Sequence, residues 1–221
     1  MTYDNLDKYF TNKKLLELAL THKSWVNEHS GKRGSNERLE FLGDAILEFI
    51  VSKEIYNKFP KQEEGYLTAL RANLVNTTNL SQIAIKLNLG SYLYLSKGEE
   101  ESGGRSNSSI LADSVEALIG ALFLDGGVEK AEKFLSEYLI SEIDKKASEP
   151  LKDPKSQLQE VVQAKGYIAP KYEVVNEEGP DHSKLFTIQV VINGKSKAVG
   201  TGKSKSEAAQ DAATKALGNL K

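Results

Sequence analysis

The residues that could do chemistry in this chain are carboxylates. In Asn36-Glu-Arg-Leu-Glu-Phe-Leu-Gly-Asp-Ala-Ile-Leu-Glu-Phe-Ile50, a helix advancing about 100° per residue puts Glu37, Glu40 and Asp44 in one narrow sector. Leu39, Leu42, Ile46 and Phe49 form the opposite stripe. Phe41 and Leu47 flank the acids, so this is not a plain solvated face, and carboxylates hemmed by apolar neighbours need a partner. A second run, Ile110 to Leu124, repeats the arrangement: Leu111, Val115, Leu118 and Leu122 line one side, Asp113, Glu116 and Gly120 the other. Apart from Glu48, one turn beyond Asp44, neither of these two runs holds further acids. Each has a glycine, Gly43 or Gly120, that permits close approach of a neighbouring backbone. Packed together, the two helices converge four carboxylates.

Like charges held close in a low-dielectric site repel, and the usual resolutions are a shared proton or a bound cation. Ligation by oxygen alone, without His or Cys, favours a hard ion, Mg²⁺ or Mn²⁺. Such an ion polarises a phosphate and activates water for in-line attack with no protein nucleophile, which is the chemistry of phosphodiester hydrolysis. The alternative is that each acid sits at a helix rim and pairs with a basic group such as Arg38, Arg71 or Arg105. On the residues alone both stand.

The elements that must position these acids are helical. Apolar spacing of three and four predicts helices over 12–20, 36–57, 65–73, 77–88, 109–124 and 128–145. Ala147-Ser-Glu-Pro-Leu-Lys-Asp-Pro154 has two prolines and no periodicity and reads as a linker, giving domains at 1–146 and 155–221. Beyond it come a helix from Ser156 to Lys165, alternating strands and a final helix from Ser204 to Leu220. Phe186, Ile188, Val190 and Ile192 alternate with Leu185, Thr187, Gln189 and Val191, as in a half-buried strand. Asn193-Gly194 supplies a hairpin turn. The expected order is α-β-β-β-α.

The chain is slightly acidic overall, but the balance is uneven. Residues 1–154 hold 19 Lys and Arg against 24 Asp and Glu; residues 155–221 hold 10 against 7. Cysteine is absent, which excludes disulfides, thiolate metal sites and cysteine nucleophiles. No apolar run reaches the roughly 20 residues that cross a bilayer, and the first ten residues do not read as a signal peptide. The expected compartment is the cytoplasm, with no membrane partner and no organic cofactor.

At this point the motifs resemble those of a known family. Asn36-Glu-Arg-Leu-Glu-Phe-Leu-Gly-Asp-Ala45 is similar to the signature of ribonuclease III, and Leu111-Ala-Asp-Ser-Val-Glu-Ala-Leu-Ile-Gly-Ala121 to its second acidic motif. Ala19-Leu-Thr-His-Lys-Ser24 and Leu70-Arg-Ala-Asn-Leu-Val75 also match, and the C-terminal part resembles a double-stranded-RNA-binding domain. The resemblance implies an all-α endonuclease domain followed by that α-β-β-β-α domain. It makes Glu40, Asp44, Asp113 and Glu116 the metal-binding acids, with Asp44 and Glu116 the most critical. Glu37 and Glu64 match assisting acids near the site or in the dimer. Phe41 matches an aromatic that plugs into the partner of a homodimer; its simpler reading is core packing. His22 reads as a structural residue. The implied reaction is Mg²⁺-dependent hydrolysis of double-stranded RNA, with Mn²⁺ able to substitute, leaving 5′-phosphate, 3′-hydroxyl and a short 3′ overhang.

A duplex-RNA binder reads 2′-hydroxyls in the minor groove and phosphates across the major groove. Ser156, Gln159, Glu160 and Gln163 offer one polar helix face opposite Leu158, Val161 and Val162. Gly179-Pro-Asp-His-Ser-Lys184 puts His182 on a tight loop that matches a second minor-groove contact. Gly202-Lys-Ser-Lys-Ser-Glu-Ala-Ala209 brings Lys203 and Lys205 to a helix N-terminus, where free N–H groups favour phosphate. In the loop Ser102–Ser109 the sole basic residue is Arg105, fewer than family members often carry, so RNA contact there is expected to be weak. Asn107-Ser-Ser109 fits a glycosylation sequon but reads as helix capping. Two rival functions are a catalytically silent RNA-binding regulator on the same fold and a phosphohydrolase of small nucleotides. The presence of all four acids disfavours the first; the second leaves the C-terminal part without a purpose.

Overall fold

The computed structural model describes residues 6–29, 33–149, 151, 153–180 and 184–220. The chain divides into two compact units, Met1–Leu151 and Lys152–Lys221. In the first, α1 (Lys13–Ala19), α2 (Lys23–Glu28), α3 (Glu37–Lys58), α4 (Glu64–Leu74) and α5 (Thr77–Lys86) lead through the short α6 (Leu89–Tyr92) and α7 (Lys97–Glu101) to α8 (Ser108–Tyr138) and α9 (Ile143–Ser148). Short polar side chains start these helices by accepting from orphan N–H groups: Asn12 from Lys14 N, Asn76 from Asn79 N, Ser96 from Glu99 N, and Asn107 from Ser109 N and Ile110 N. Asn107 thus performs the capping its sequence context suggested.

The core is organised around α8. From Ile110 to Leu122 every residue is buried except Asp113 and Glu116. The sequence pattern, with one apolar side and one acidic side, understates this: α8 is enclosed on nearly all sides and the two acids are its exceptions. α8 bends at Gly126 and Gly127, whose backbone leaves the helical region, in agreement with the predicted break between 124 and 128. There the Asp125 carboxylate accepts from Thr11 N at 2.7 Å and Asn12 N at 2.9 Å, tying the bend to the start of α1. The second half of α8 ends at Tyr138, short of the expected 145; a 3-10 turn (Ile140–Glu142) and α9 take over.

α3 corrects the sequence reading in one respect. Its buried stripe is Leu39, Gly43, Leu47, Ile50, Val51 and Ile55, not Leu39, Leu42, Ile46 and Phe49; Phe49 is 54% exposed. The reason is Gly43. A Cβ built on it would lie 1.7 Å from the Glu116 carbonyl oxygen, and one on Gly120 would lie 2.2 Å from the Leu39 carbonyl oxygen. α3 and α8 therefore cross with their backbones in contact through two glycines, and the hydrophobic stripe turns to follow that crossing. Glu40 and Asp44 end up at the edge of the buried face rather than opposite it.

In the second unit α10 (Pro154–Ala164) and α11 (Lys205–Asn219) cover one face of an antiparallel sheet of β1 (Lys171–Glu178), β2 (Leu185–Ile192) and β3 (Lys195–Gly202), in the order β1-β2-β3. Ile188, Val190 and Ile192 are buried and Phe186 half-buried, as the alternation predicted. Asn193 and Gly194 both take positive φ in the turn between β2 and β3. Leu158, Val162, Val190, Ile192, Ala212, Ala213 and Ala216 form the main core of this unit. The expected linker, 147–154, overlaps the last two residues of α9 and the first of α10.

Substituting Gly120 by Ala puts a methyl group into the Leu39 carbonyl. Overpacking of this kind costs typically about 1–3 kcal/mol, and about 1 kcal/mol shifts the melting midpoint of a chain this size by about 2–4 °C. Gly120→Ala is expected to lower the midpoint by more than about 3 °C in differential scanning calorimetry; an unchanged midpoint contradicts the contact.

Candidate active site and RNA interface

The acids on α3 are set by the residue just before them. Asn36 is buried, donates its side-chain amide to the Ala19 carbonyl at 3.2 Å and its backbone N–H to the Thr21 carbonyl at 2.8 Å. Its own carbonyl accepts from Glu40 N at 2.9 Å. The start of α3 is thereby clamped to the end of α1, and Glu40 follows one turn later. Across the glycine crossing α8 presents Asp113 and Glu116.

Glu40, Asp113 and Glu116 meet. One carboxylate oxygen from each lies within 4.8 Å of the other two. Asp44 is exposed, one turn along α3, and stands outside this trio, yet its charge is the foremost of those acting on Glu116. Burial, then repulsion from Asp44, Asp113 and Glu40, pushes the Glu116 carboxyl up to about 7. Burial and then Asp113 raise Glu40, and burial raises Asp113. The arginines that could have neutralised the acids are occupied elsewhere or unpaired with them. Arg71 pairs with Glu48 at 3.7 Å and Arg105 with Glu100 at 2.8 Å. Among the described residues no ion pair involves Glu40, Asp44, Asp113 or Glu116. A set of close, part-buried carboxylates without a basic partner has the composition and spacing to hold a divalent cation.

The other predicted residues fall in distinct places. Glu37 lies at the rim, accepting from Ser35 Oγ at 2.9 Å and facing Lys23 Nζ at 3.4 Å. Glu64 is not in the cluster; it opens α4, accepts from Thr68 Oγ1 at 2.8 Å and lines a groove between α3 and α4. Phe41 is 81% exposed beside the acids, so core packing is not its role. His22 caps α2, its Nδ1 accepting from Ser24 N at 3.3 Å, and burial lowers its pKa. Arg105 donates to the carbonyls of Gly90 and Leu93 and serves the fold.

Two features arise from the placement of elements rather than from local sequence pattern. One is the α3–α4 groove, about 620 Å³, whose walls include Phe49, Ile55, Tyr56 and Leu67; it exists only once the two helices are side by side. The other is the placement of α2, six residues without a helical period, which sets Lys23, itself within the Ala19–Ser24 motif, against the acidic rim.

In the second unit Ser156, Gln159, Glu160 and Gln163 are all exposed on α10. Ser156 Oγ donates to its cap, Asp153, at 2.6 Å. His182 lies outside the described residues. Lys203 and Lys205 are exposed at the start of α11, where Ser204 Oγ caps the helix by accepting from Glu207 N and Glu207 Oε2 accepts from Lys203 N. Lys205 is engaged, 2.8 Å from Glu177 and 5.5 Å from the centre of the Phe186 ring, so a phosphate there must compete with an acid.

A helical unit with converged acids, followed by a three-stranded sheet backed by two helices, defines a nuclease coupled to a duplex-RNA-binding module. Comparison with known proteins agrees: residues 12–143 match the family model described as Ribonuclease-III-like, and residues 154–220 match the double-stranded RNA binding motif. Ribonuclease 3 of Geobacillus sp. (strain WCH70) is 48% identical over 96% of this chain and 87% of its own. That of Enterococcus faecalis is 47% identical over 96% and 92%. Among solved structures, the nuclease domain of ribonuclease III from Campylobacter jejuni superposes with a TM-score of 0.57 at 42% identity, covering 64% of this chain and 96% of that domain. The chain belongs to the ribonuclease III family and is an endoribonuclease of double-stranded RNA. Nucleases of this family are metal-dependent. Among the described residues, no helix is long and apolar enough to cross a membrane.

The raised Glu116 has a measurable consequence. Its folded pKa is about 7 against an ordinary 4.5, so over that window the native state holds a proton that the unfolded chain has released, and metal-free stability falls as pH rises. Glu116→Gln is expected to melt a few degrees above wild type at about pH 8 in EDTA and to match it more closely at about pH 5. A difference that does not grow with pH contradicts the repulsion.

Proposed function

We propose that this protein cuts duplex RNA by in-line attack of water on a phosphodiester beside the acidic cluster, with residues 1–146 performing cleavage and 155–221 recognising the duplex. The observation that carries this reading is the meeting of Glu40, Asp113 and Glu116 within 4.8 Å with no basic partner among the described residues. Glu40, Asp113, Glu116 and Asp44 hold Mg²⁺, or Mn²⁺ in its place, with Asp44 and Glu116 the least replaceable. When bound, such an ion polarises the scissile phosphate and makes water a competent nucleophile near neutral pH. The phosphorus–O3′ bond breaks, leaving a 3′-hydroxyl on one product and a 5′-phosphate on the other. Glu37 holds Lys23 at the rim, and Glu64 acts from the dimer side. The natural substrates are structured RNAs such as ribosomal RNA precursors and messengers, in the cytoplasm.

Duplex recognition falls to Ser156, Gln159, Glu160 and Gln163, whose hydroxyl, amide and carboxylate groups suit 2′-hydroxyls, and to His182, which lies outside the described residues. Lys203 and Lys205 take phosphates at the start of α11, Lys205 by exchanging Glu177 for the phosphate.

The active form is a homodimer. α3 carries a second apolar stripe, away from its buried one: Phe41, Ala45, Phe49 and Tyr56 lie within about 80° of one another at 100° per residue and are all exposed. Phe41 of one copy inserts into the α3–α4 groove of the other, and the two-fold repeats the contact. The solved Campylobacter jejuni domain is itself described by a region involved in dimer formation. Each copy then offers one cluster to one strand, and paired cuts leave short 3′ overhangs.

Incubation with a long perfect duplex tests the activity. Wild type is expected to cleave with Mg²⁺ and not with EDTA, while Glu116→Gln loses cleavage at least about a hundredfold and binds the duplex as wild type does in a gel shift. Metal-independent cleavage, or full activity of Glu116→Gln, overturns the assignment. Phe41→Ser is expected to shift sedimentation toward the monomer; an unchanged dimer removes Phe41 from the interface.

A further inference from the structure

Lys23 is the first residue of α2, and α2 is fixed from two directions. His22 caps it and forms a 2.8 Å hydrogen bond with Ser24 Oγ, which also accepts from Ser96 N at 3.0 Å. Lys97 N donates to Glu28 Oε2 at 3.3 Å, and Trp25 packs edge-on against Tyr94. From this mount the Lys23 ammonium reaches Glu37 Oε1 at 3.4 Å. Glu37 is one turn before Glu40 and is itself oriented by Ser35.

The placement is unusual for a charge whose only task is to neutralise acids. Lys23 pairs with Glu37, an acid outside the converged trio, and among the described residues it forms no ion pair with Glu40, Asp113 or Glu116. Burial raises the Glu40 and Asp113 carboxyls; the Lys23 charge opposes that rise at both, at Asp113 after His22. Its side chain is 62% exposed. An ammonium has three donors, and among the described residues only Glu37 takes one. The ammonium thus stands, largely exposed, at the edge of a site built of carboxylates, which by themselves repel the polyanion they must cut. A fixed cation there offsets the repulsion and gives a non-bridging phosphate oxygen a partner.

We propose that Lys23 is a substrate-contacting residue of the cleavage site: its ammonium receives a phosphate of the strand being cut, at the rim of the Glu40–Asp113–Glu116 cluster, and Glu37 and Ser35 hold it in place for that contact. This rests on the reading above, in which that cluster holds the divalent ion.

The test compares full-length wild type with Lys23→Gln, Lys23→Arg and Glu116→Gln in two measurements. The first is single-turnover cleavage of a long duplex at saturating Mg²⁺; the second is calorimetric titration with Mn²⁺ in the absence of RNA. Lys23→Gln is expected to cleave on the order of tenfold to a hundredfold more slowly, with Lys23→Arg restoring most of the rate. Mn²⁺ binding to Lys23→Gln is expected to be at least as tight as to wild type, because a positive charge has been removed from beside the acids. Undiminished cleavage by Lys23→Gln overturns the proposal and leaves Lys23 a neutraliser of the cluster. Weakened Mn²⁺ binding by Lys23→Gln also overturns it, since the residue then acts through the acids. Mn²⁺ binding that is the same in Glu116→Gln as in wild type instead overturns the underlying metal assignment, and the contact with it.

Discussion

The structure depends on one contact, the crossing of α3 and α8 at Gly43 and Gly120. Helices whose surfaces carry ordinary side chains pack about 8–10 Å apart; α3 and α8 approach until backbone meets backbone. With hydrogen in place of Cβ at both positions, each backbone meets a carbonyl of the other helix. Glu40 and Glu116 flank that point and are brought together by it. The clamp from Asn36 to the end of α1 sets where α3 begins, and the enclosed α8 sets what it leans on.

Bringing acids together opposes folding. The Glu116 carboxyl is pushed to about 7 by burial and by its three acidic neighbours, and no arginine is spent on relieving it. The apolar core, from Leu6 to Ile143, is what overrides this repulsion. The strain is stored in the form that a divalent cation relieves, so affinity for the ion and instability without it have the same origin. Other acids of the first unit are treated differently: Asp125 accepts two backbone N–H groups and a lysine. A carboxylate placed for structure is satisfied within the fold; those of the cluster are not.

Much of this was legible in the sequence because spacing and residue type constrain each other. Acids at three and four spacing on two otherwise apolar helices, each with a glycine, implied convergence, and the β2 alternation and Asn193-Gly194 implied the hairpin. The buried stripe of α3 departs from the one its periodicity predicts because Leu42 and Phe49 outrank a glycine on any hydrophobicity scale, whereas close backbone contact makes Gly43 part of the buried face. Phe49 instead belongs to an exposed stripe with Phe41 and Tyr56, which period alone cannot separate from a core face. The full enclosure of α8 was hidden because an apolar run does not state how many neighbours surround it. Lys23 and the α3–α4 groove depend on juxtaposition between elements, and the engagement of Lys205 by Glu177 on a residue some thirty positions away. None of these contacts has a local signature, although Lys23 itself lies in the Ala19–Ser24 motif.

The central claim is that acids from two helices jointly hold one kind of ion. Anomalous diffraction from crystals grown with Mn²⁺ addresses it directly. The expected result is a peak with carboxylate oxygens of Glu40, Asp113 and Glu116 at about 2.0–2.3 Å, the range of oxygen ligands to small hard cations. A map with no peak there at millimolar Mn²⁺, or with the ion held by residues of a single helix, contradicts the account.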